Sequence, residues 1–211
     1  MRTQYRIHDR SHLLPGLAFG IGFRSARLEE ELRTLNFQSA FADQAVDLHV
    51  VLQQANNQLV TMRSGMPFPW ILIGLGEGAD LIAKHYYDFY ALKPPLAVIL
   101  MSPSVQPLHL NNLTCPYLVL HGEHDPVFES VPYSRFEQGV LHHQYRYGDL
   151  TRLHWFPFLN RQMRHVNRTS PEGREEKTDL ELQVISEIMG WIGNVLEAPR
   201  RKQEPGVPSA A

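Results

Sequence analysis

Apolar and polar positions follow two rhythms along this chain. Residues 70–73, 96–101 and 117–120 are short, unbroken apolar runs bounded by Gly or Pro, the signature of strands buried on both faces. Between them the apolar positions recur at intervals of three and four. Ser25 has the character of an N-cap, with Leu28, Leu32 and Leu35 on one helical face. Phe41, Ala45, Leu48, Leu52 and Ala55 predict a helix over 39–57. Ala79, Ile82, Ala83, Tyr86 and Tyr90 predict another, stopped by Pro94 and Pro95. A short helix is expected from Ser130 and Pro132 to Gly139, and a strand over 144–147. Thr178 and Glu181 form a capping box for a closing helix carrying Leu182, Ile185, Met189, Ile192 and Leu196. Residues 13–23, broken by Pro15, Gly16, Gly20 and Gly22, predict a short strand and a glycine-rich loop.

Apolar strands alternating with amphipathic helices imply an α/β fold. The expected architecture is a mostly parallel sheet covered by helices on both faces. Its sites belong at the carboxyl ends of the strands. Two such ends carry suggestive residues: the glycine turn over 74–78 and the segment 121–125.

Composition narrows the function classes. A length of 211 residues suits one domain, expected over 1–198, with a disordered tail over 199–211 rich in Arg, Lys, Pro and Gly. The formal charge of −2 is too balanced for a phosphate-backbone binder, so no nucleic-acid partner is expected. The single cysteine, Cys115, cannot form an internal disulfide. No stretch has the length and purity of a membrane span, and the polar first ten residues do not resemble a secretory signal. A cytoplasmic location and no membrane partner are expected. The oligomeric state is left open.

Two chemistries want glycines between a strand and a helix. Gly74, Gly76 and Ala79 fit the dinucleotide fingerprint. That motif needs an acid at the end of the next strand to hold the ribose. The next strand ends Leu100-Met101-Ser102-Pro103, without a carboxylate, so no cofactor is expected. The other chemistry is the nucleophile elbow, small-x-Ser-x-small.

Residues 117–127 read Tyr-Leu-Val-Leu-His-Gly-Glu-His-Asp-Pro-Val. This resembles the segment of the α/β-hydrolase superfamily that delivers the triad acid: an apolar strand, Gly, two residues, then Asp. His154, flanked by Leu153 and Trp155, follows Asp125 at the interval typical of that superfamily's base. Elbow, Asp, His is the chain order that fold requires. The resemblance spans about residues 39–196 and implies a shortened α/β-hydrolase-like domain, with Asp125 and His154 at the acid and base positions. His165 is the competing base if the last strand is 152–158. The family's oxyanion loop has only a faint counterpart, His12 and Gly16 within residues 11–16.

The elbow's central position is Gly76, where the family places Ser, Cys or Asp. A hydrogen cannot attack a carbonyl, and a triad without its nucleophile keeps only weak catalysis. Glycine readily adopts the strained conformation of that position, so the fold survives the loss. Glu77, on the residue whose N–H would face an oxyanion, opposes such chemistry if it points inward; otherwise it favours the start of the next helix. A glycine elbow resembles the N-myc downstream-regulated proteins, regarded as non-enzymatic, in kind.

Other candidates carry competing readings. His121, Glu123, His124 and Asp125 match no metal-ligand spacing, so no metal is expected. Ser102 and Ser104 lie after a strand end, where a recruited nucleophile could stand, but outside an elbow. His142 and His143 suit a solvated loop, and Cys115 a packed small hydrophobe. The expectation is a non-catalytic binding or scaffold module whose old pocket, around Gly74, Gly76, Glu77 and Gly78, takes an unknown small molecule or protein. The alternative is a divergent hydrolase of small esters or amides using an Asp125–His154 pair.

Overall fold

The computed structural model describes residues 15–42, 47–62, 68–127, 133–166 and 179–201. Among these residues, six strands and six α-helices follow in the order β1 (Gly16–Ile21), α1 (Ala26–Thr34), β2 (Phe37–Ala42), α2 (Leu48–Thr61), β3 (Trp70–Leu75), α3 (Glu77–Lys84), α4 (Tyr86–Leu92), β4 (Ala97–Met101), β5 (Tyr117–His124), α5 (Tyr133–Tyr147), β6 (Arg152–Asn160) and α6 (Leu182–Arg201). All pairings are parallel, in the order β2-β1-β3-β4-β5-β6. Strand order reverses between β1 and β3, and a crevice opens outside the carboxyl ends at such a point.

Alternate residues of each central strand face opposite cores. Leu72, Leu100 and Val119 pack with Val51 and Ala55 of α2, Ile82 of α3, Phe89 of α4 and Phe136 of α5. Ile71, Ile99 and Leu118 pack with Leu28 and Leu32 of α1 and Ile188, Trp191 and Ile192 of α6. Both faces are therefore covered, as the unbroken apolar strands require. Among the described residues, no helix is long and apolar enough to cross a membrane.

Several expected elements are redrawn. The helix predicted over 39–57 begins only at Leu48, with the Asp47 side chain accepting the His49 N–H at 2.8 Å. Residues 37–42 are strand β2 instead. Phe37 and Phe41 lay their rings over Gly16 and Gly20 of β1, and a Cβ on Gly16 would sit 2.5 Å from Phe37. Tertiary packing on bare glycines thus overrides the helical spacing. The strand predicted over 144–147 is the last turn of α5, which runs straight through Gly139. Phe136, Val140 and His143 are its buried face, so His143 is not in a solvated loop. The helix predicted over 79–90 breaks at His85 into α3 and α4. Ser25 caps α1 as expected, its hydroxyl accepting the Leu28 N–H at 3.1 Å. The backbone of α6 stays helical to Arg201, into the predicted tail, whose residues 202–211 lie outside the described residues. Thr178 of the capping box also lies outside them.

Candidate functional site

Strand β3 ends at Leu75 and α3 begins at Glu77, which leaves one residue for the turn. That residue is Gly76, at φ 56° and ψ −117°. Side chains rarely tolerate this region. Its N–H donates to the Met101 carbonyl at 2.8 Å, and its carbonyl accepts the Asp80 N–H at 3.0 Å. The bend is thereby tied to β4 and to the first turn of α3.

The flanking glycines serve close approach. A Cβ on Gly74 would lie 2.5 Å from the Ala79 backbone, and one on Gly78 would run into the Ile21 carbonyl. Both are buried, so they hold strand and helix together and do not line an open pocket. Gly76 is half-buried and Glu77 exposed. Glu77 opens α3, where its charge suits the helix N-terminus. The loop beside the bend is residues 22–25, after β1. Gly22 has φ 82°, and a Cβ there would sit 2.7 Å from the Leu75 carbonyl oxygen. The glycine expected as an oxyanion-loop remnant, Gly16, opens β1 at the opposite edge of the sheet and instead makes room for Phe37. His12 lies outside the described residues.

Asp125 follows β5 and is 3 % exposed. Its N–H donates to the Gly122 carbonyl, and its Oδ1 accepts the Val127 N–H at 3.1 Å. Oδ2 lies 3.6 Å from Nδ1 of the fully buried His121. Burial pushes the Asp125 carboxyl upward, but the His121 ring, the Val127 N–H and the Ser102 hydroxyl outweigh it and hold the carboxyl below its usual range. Burial pushes the His121 ring well down, against the pull of Asp125, and leaves a neutral imidazole at neutral pH. The pair is an ionised carboxylate beside an uncharged ring.

Sequence reasoning missed the third member, Arg161. It stands on the turn just after β6. Asn160 folds that turn, its side-chain oxygen accepting the N–H groups of Gln162 at 3.0 Å and Arg164 at 3.1 Å. Phe158 and Met163 take positive φ, at 62° and 58°. A Cβ on Gly122 would strike the Leu159 carbonyl, so bare Gly122 lets the end of β6 approach β5. Arg161 Nη1 is then 3.8 Å from Asp125 Oδ1. Nη2 donates to Ser104 Oγ, whose own N–H donates to Asp80 Oδ1 at 2.6 Å. Nε lies 3.8 Å from the point a Cβ at Gly76 would occupy. A general base must reach both the nucleophile and the acid. The side chain spanning those two places is an arginine.

His154 lies near the start of β6, the third of its nine residues. It pairs in register with Leu120, five residues before Asp125, and lies roughly 20 Å along β6 from that strand's end at Asn160. Its Nδ1 faces Glu187 of α6 at 3.8 Å, and its ring packs on Phe156. The structure therefore does not bring Asp125 and His154 together. The last strand does end near the expected alternative, and His165 lies in the turn after it. Its ring stacks on Phe158 at 5.9 Å and its backbone N–H donates to Glu181 Oε1 at 3.3 Å.

Of the residues weighed as metal ligands, His121 and Asp125 are buried, while Glu123 and His124 are exposed on the rim. Glu123 accepts the Phe158 N–H at 3.2 Å. No group of three His, Cys, Asp or Glu among the described residues could hold a metal ion. Ser102 is fully buried at φ 48°, and Ser104 holds Arg161. Cys115 is packed beside Tyr86, and burial pushes its thiol up to about 12.

No protein-family model and no curated protein matches the chain. Solved structures do. Est1E from Butyrivibrio proteoclasticus aligns with 87% of this chain and 89% of its own, at a TM-score of 0.55 and 13% identity. A dienelactone hydrolase-like promiscuous phosphotriesterase, P91, from metagenomic libraries aligns with 88% of this chain and 87% of its own, at 0.55 and 14%. A putative YdeN-like hydrolase from Pectobacterium atrosepticum covers 85% and 91%, at 0.53 and 13%. This chain has the α/β-hydrolase fold. Such identities carry the architecture alone. Within that architecture Gly76 forms the β3–α3 bend, and Arg161 stands between it and Asp125.

Proposed function

We propose that the protein is a non-catalytic binding module built on the α/β-hydrolase fold, of the serine-less kind that the N-myc downstream-regulated proteins exemplify. One observation carries this reading: Arg161 lies between the elbow and the acid. Two triad positions are then filled by residues unable to do the chemistry. Gly76 offers no nucleophile. A guanidinium keeps its proton in proteins and cannot accept the one a nucleophile must lose. Asp125 alone would be left, buried and balanced by Arg161. The strained bend remains, with its glycine scaffold and the uncapped first turn of α3.

The proposed role is binding, at the carboxyl edge of β3, β4, β5 and β6, of a small molecule or a protein segment in a cytoplasmic setting. The alternative, hydrolysis by an Asp125–His154 pair, gains nothing from the geometry, since His154 faces α6. The test is turnover of a panel of chromogenic esters and amides by the wild-type protein, with a His154→Ala control. No turnover above buffer is expected. Turnover that His154→Ala abolishes would replace this reading with the alternative.

A further inference from the structure

The Arg161 guanidinium is held in place and still has donors to give. Ser104 fixes its far end: Oγ accepts from Nη2, and the Ser104 N–H is itself anchored on Asp80 Oδ1 at 2.6 Å. The Asn160 turn fixes the backbone from which the side chain leaves. Nη1 stands 3.8 Å from Asp125 Oδ1, too far for a hydrogen bond. Nε faces the β3–α3 bend. Among the described residues, chain neighbours aside, it is the one atom within 4 Å of where a Cβ on Gly76 would lie. The space over the bend is therefore open, with a fixed cation as its wall. The side chain is 29 % exposed, so solvent reaches it. The bend ends β3, beside the point where strand order reverses, where sheets of this kind take their ligands.

Two features decide what fits. A guanidinium presents its N–H groups in a planar fork that matches a carboxylate. Carboxylates of the chain already stand nearby: Asp125, Asp80 and the exposed Glu77 that opens α3. Backbone groups serve the first two. Asp125 Oδ1 accepts the Val127 N–H at 3.1 Å, and Asp80 Oδ1 accepts those of Ser104 at 2.6 Å and Val105 at 3.0 Å. These acids therefore leave the Nε donor unused. Their charges still limit what can join it. One added negative charge is offset by the guanidinium beside it, whereas a second meets repulsion with no further cation to offset it.

We propose that the space between Gly76 and Arg161 binds a monocarboxylate. One of its oxygens stands where a side chain of residue 76 would begin and accepts from Nε. This inference rests on the binding role proposed above and names the charged group of the ligand. A neutral amide of the same shape loses the charge-assisted hydrogen bond, and a phosphate dianion carries one charge too many.

The test is titration of the full chain with sodium benzoate at constant ionic strength, followed by the NMR signal of the Arg161 Nε–H. Arg161→Lys, which keeps the charge, identifies that signal by its loss. A saturable shift is expected with benzoate. Benzamide and phosphate dianion should each bind at least about tenfold more weakly. Gly76→Ala, whose methyl takes the space, should keep the signal and lose the shift; if that variant fails to fold, the wild-type titrations decide alone. No shift with benzoate, or one that rises without saturating, overturns the inference. So does an equal response to benzamide or phosphate, or a folded Gly76→Ala that still responds. Each of these leaves the non-catalytic reading standing, since ester turnover tests that separately.

Discussion

Arg161 lies over Gly76, its Nε 3.8 Å from where a side-chain carbon of residue 76 would begin. The same guanidinium reaches Asp125 at 3.8 Å. One guanidinium thus links the β3–α3 bend to the buried carboxylate after β5.

The glycines of the elbow should not be interchangeable with others. Gly78→Ala forces a methyl into the Ile21 carbonyl and should cost about 3 kcal/mol or prevent folding. Gly190→Ala and Gly193→Ala, inside α6 with nothing within 4 Å, should each raise stability by about 0.5–1 kcal/mol. Urea denaturation of the three variants compares these directly.

Acid sensitivity should have two sources. His121 and His143 both have lowered proton affinity when folded, burial being the first cause in each. Both are neutral in folded and unfolded chains well above about pH 6.5, and contribute nothing there. Below it the unfolded chain takes up protons that the folded one resists, so stability falls with pH. The slope is at most about 1.4 kcal/mol per pH unit for each ring. His143→Phe, set between Tyr117 and Tyr147, should flatten part of that slope in melting curves from pH 7 to about 5.

Asp125 acts lower. Its folded carboxyl is held below the usual range, so it contributes stability above about pH 4 that is lost as pH falls through the folded value. Asp125→Asn should destabilise the protein by about 1–3 kcal/mol at pH 7. It should also remove the steepest part of acid unfolding below about pH 4.

Phe158 should be a strained position. A bulky aromatic at φ 62° costs about 1–2 kcal/mol, while its ring is 55 % exposed and gains mainly the stack on His165. Phe158→Gly should therefore leave the melting temperature unchanged or raised. A drop of several degrees would show that the stack outweighs the strain.

The sheet and its two helical layers were legible because β3, β4 and β5 are unbroken apolar runs and α1 carries its own cap. The elbow was legible because bare residues at 74, 76 and 78 must sit between strand and helix. Asp125 was legible from Gly122 and the strand before it. β2 was hidden, because its helical spacing yields to the packing of Phe37 and Phe41 on glycines of a different strand. Arg161 was hidden more deeply. Its place depends on Gly122 admitting the end of β6 and on Asn160 folding the turn, and no local pattern announces either. His154 attracted notice by its interval from Asp125, yet a residue near the start of β6 cannot reach a site at the carboxyl ends of the strands.

Under the proposed non-catalytic reading, Gly76 and Arg161 together leave the strand-end site without a nucleophile and without a base. The most direct measurement is labelling by a fluorophosphonate probe of the wild type, Gly76→Ser and Gly76→Ser/Arg161→His, each checked for folding. The strain of a side chain at residue 76 should lower stability by about 1–3 kcal/mol without unfolding the protein. No label is expected on the wild type, little on the single variant, and label mapped to position 76 in the double variant. Label on the wild type, at Ser102, Ser104 or any other serine, would contradict it.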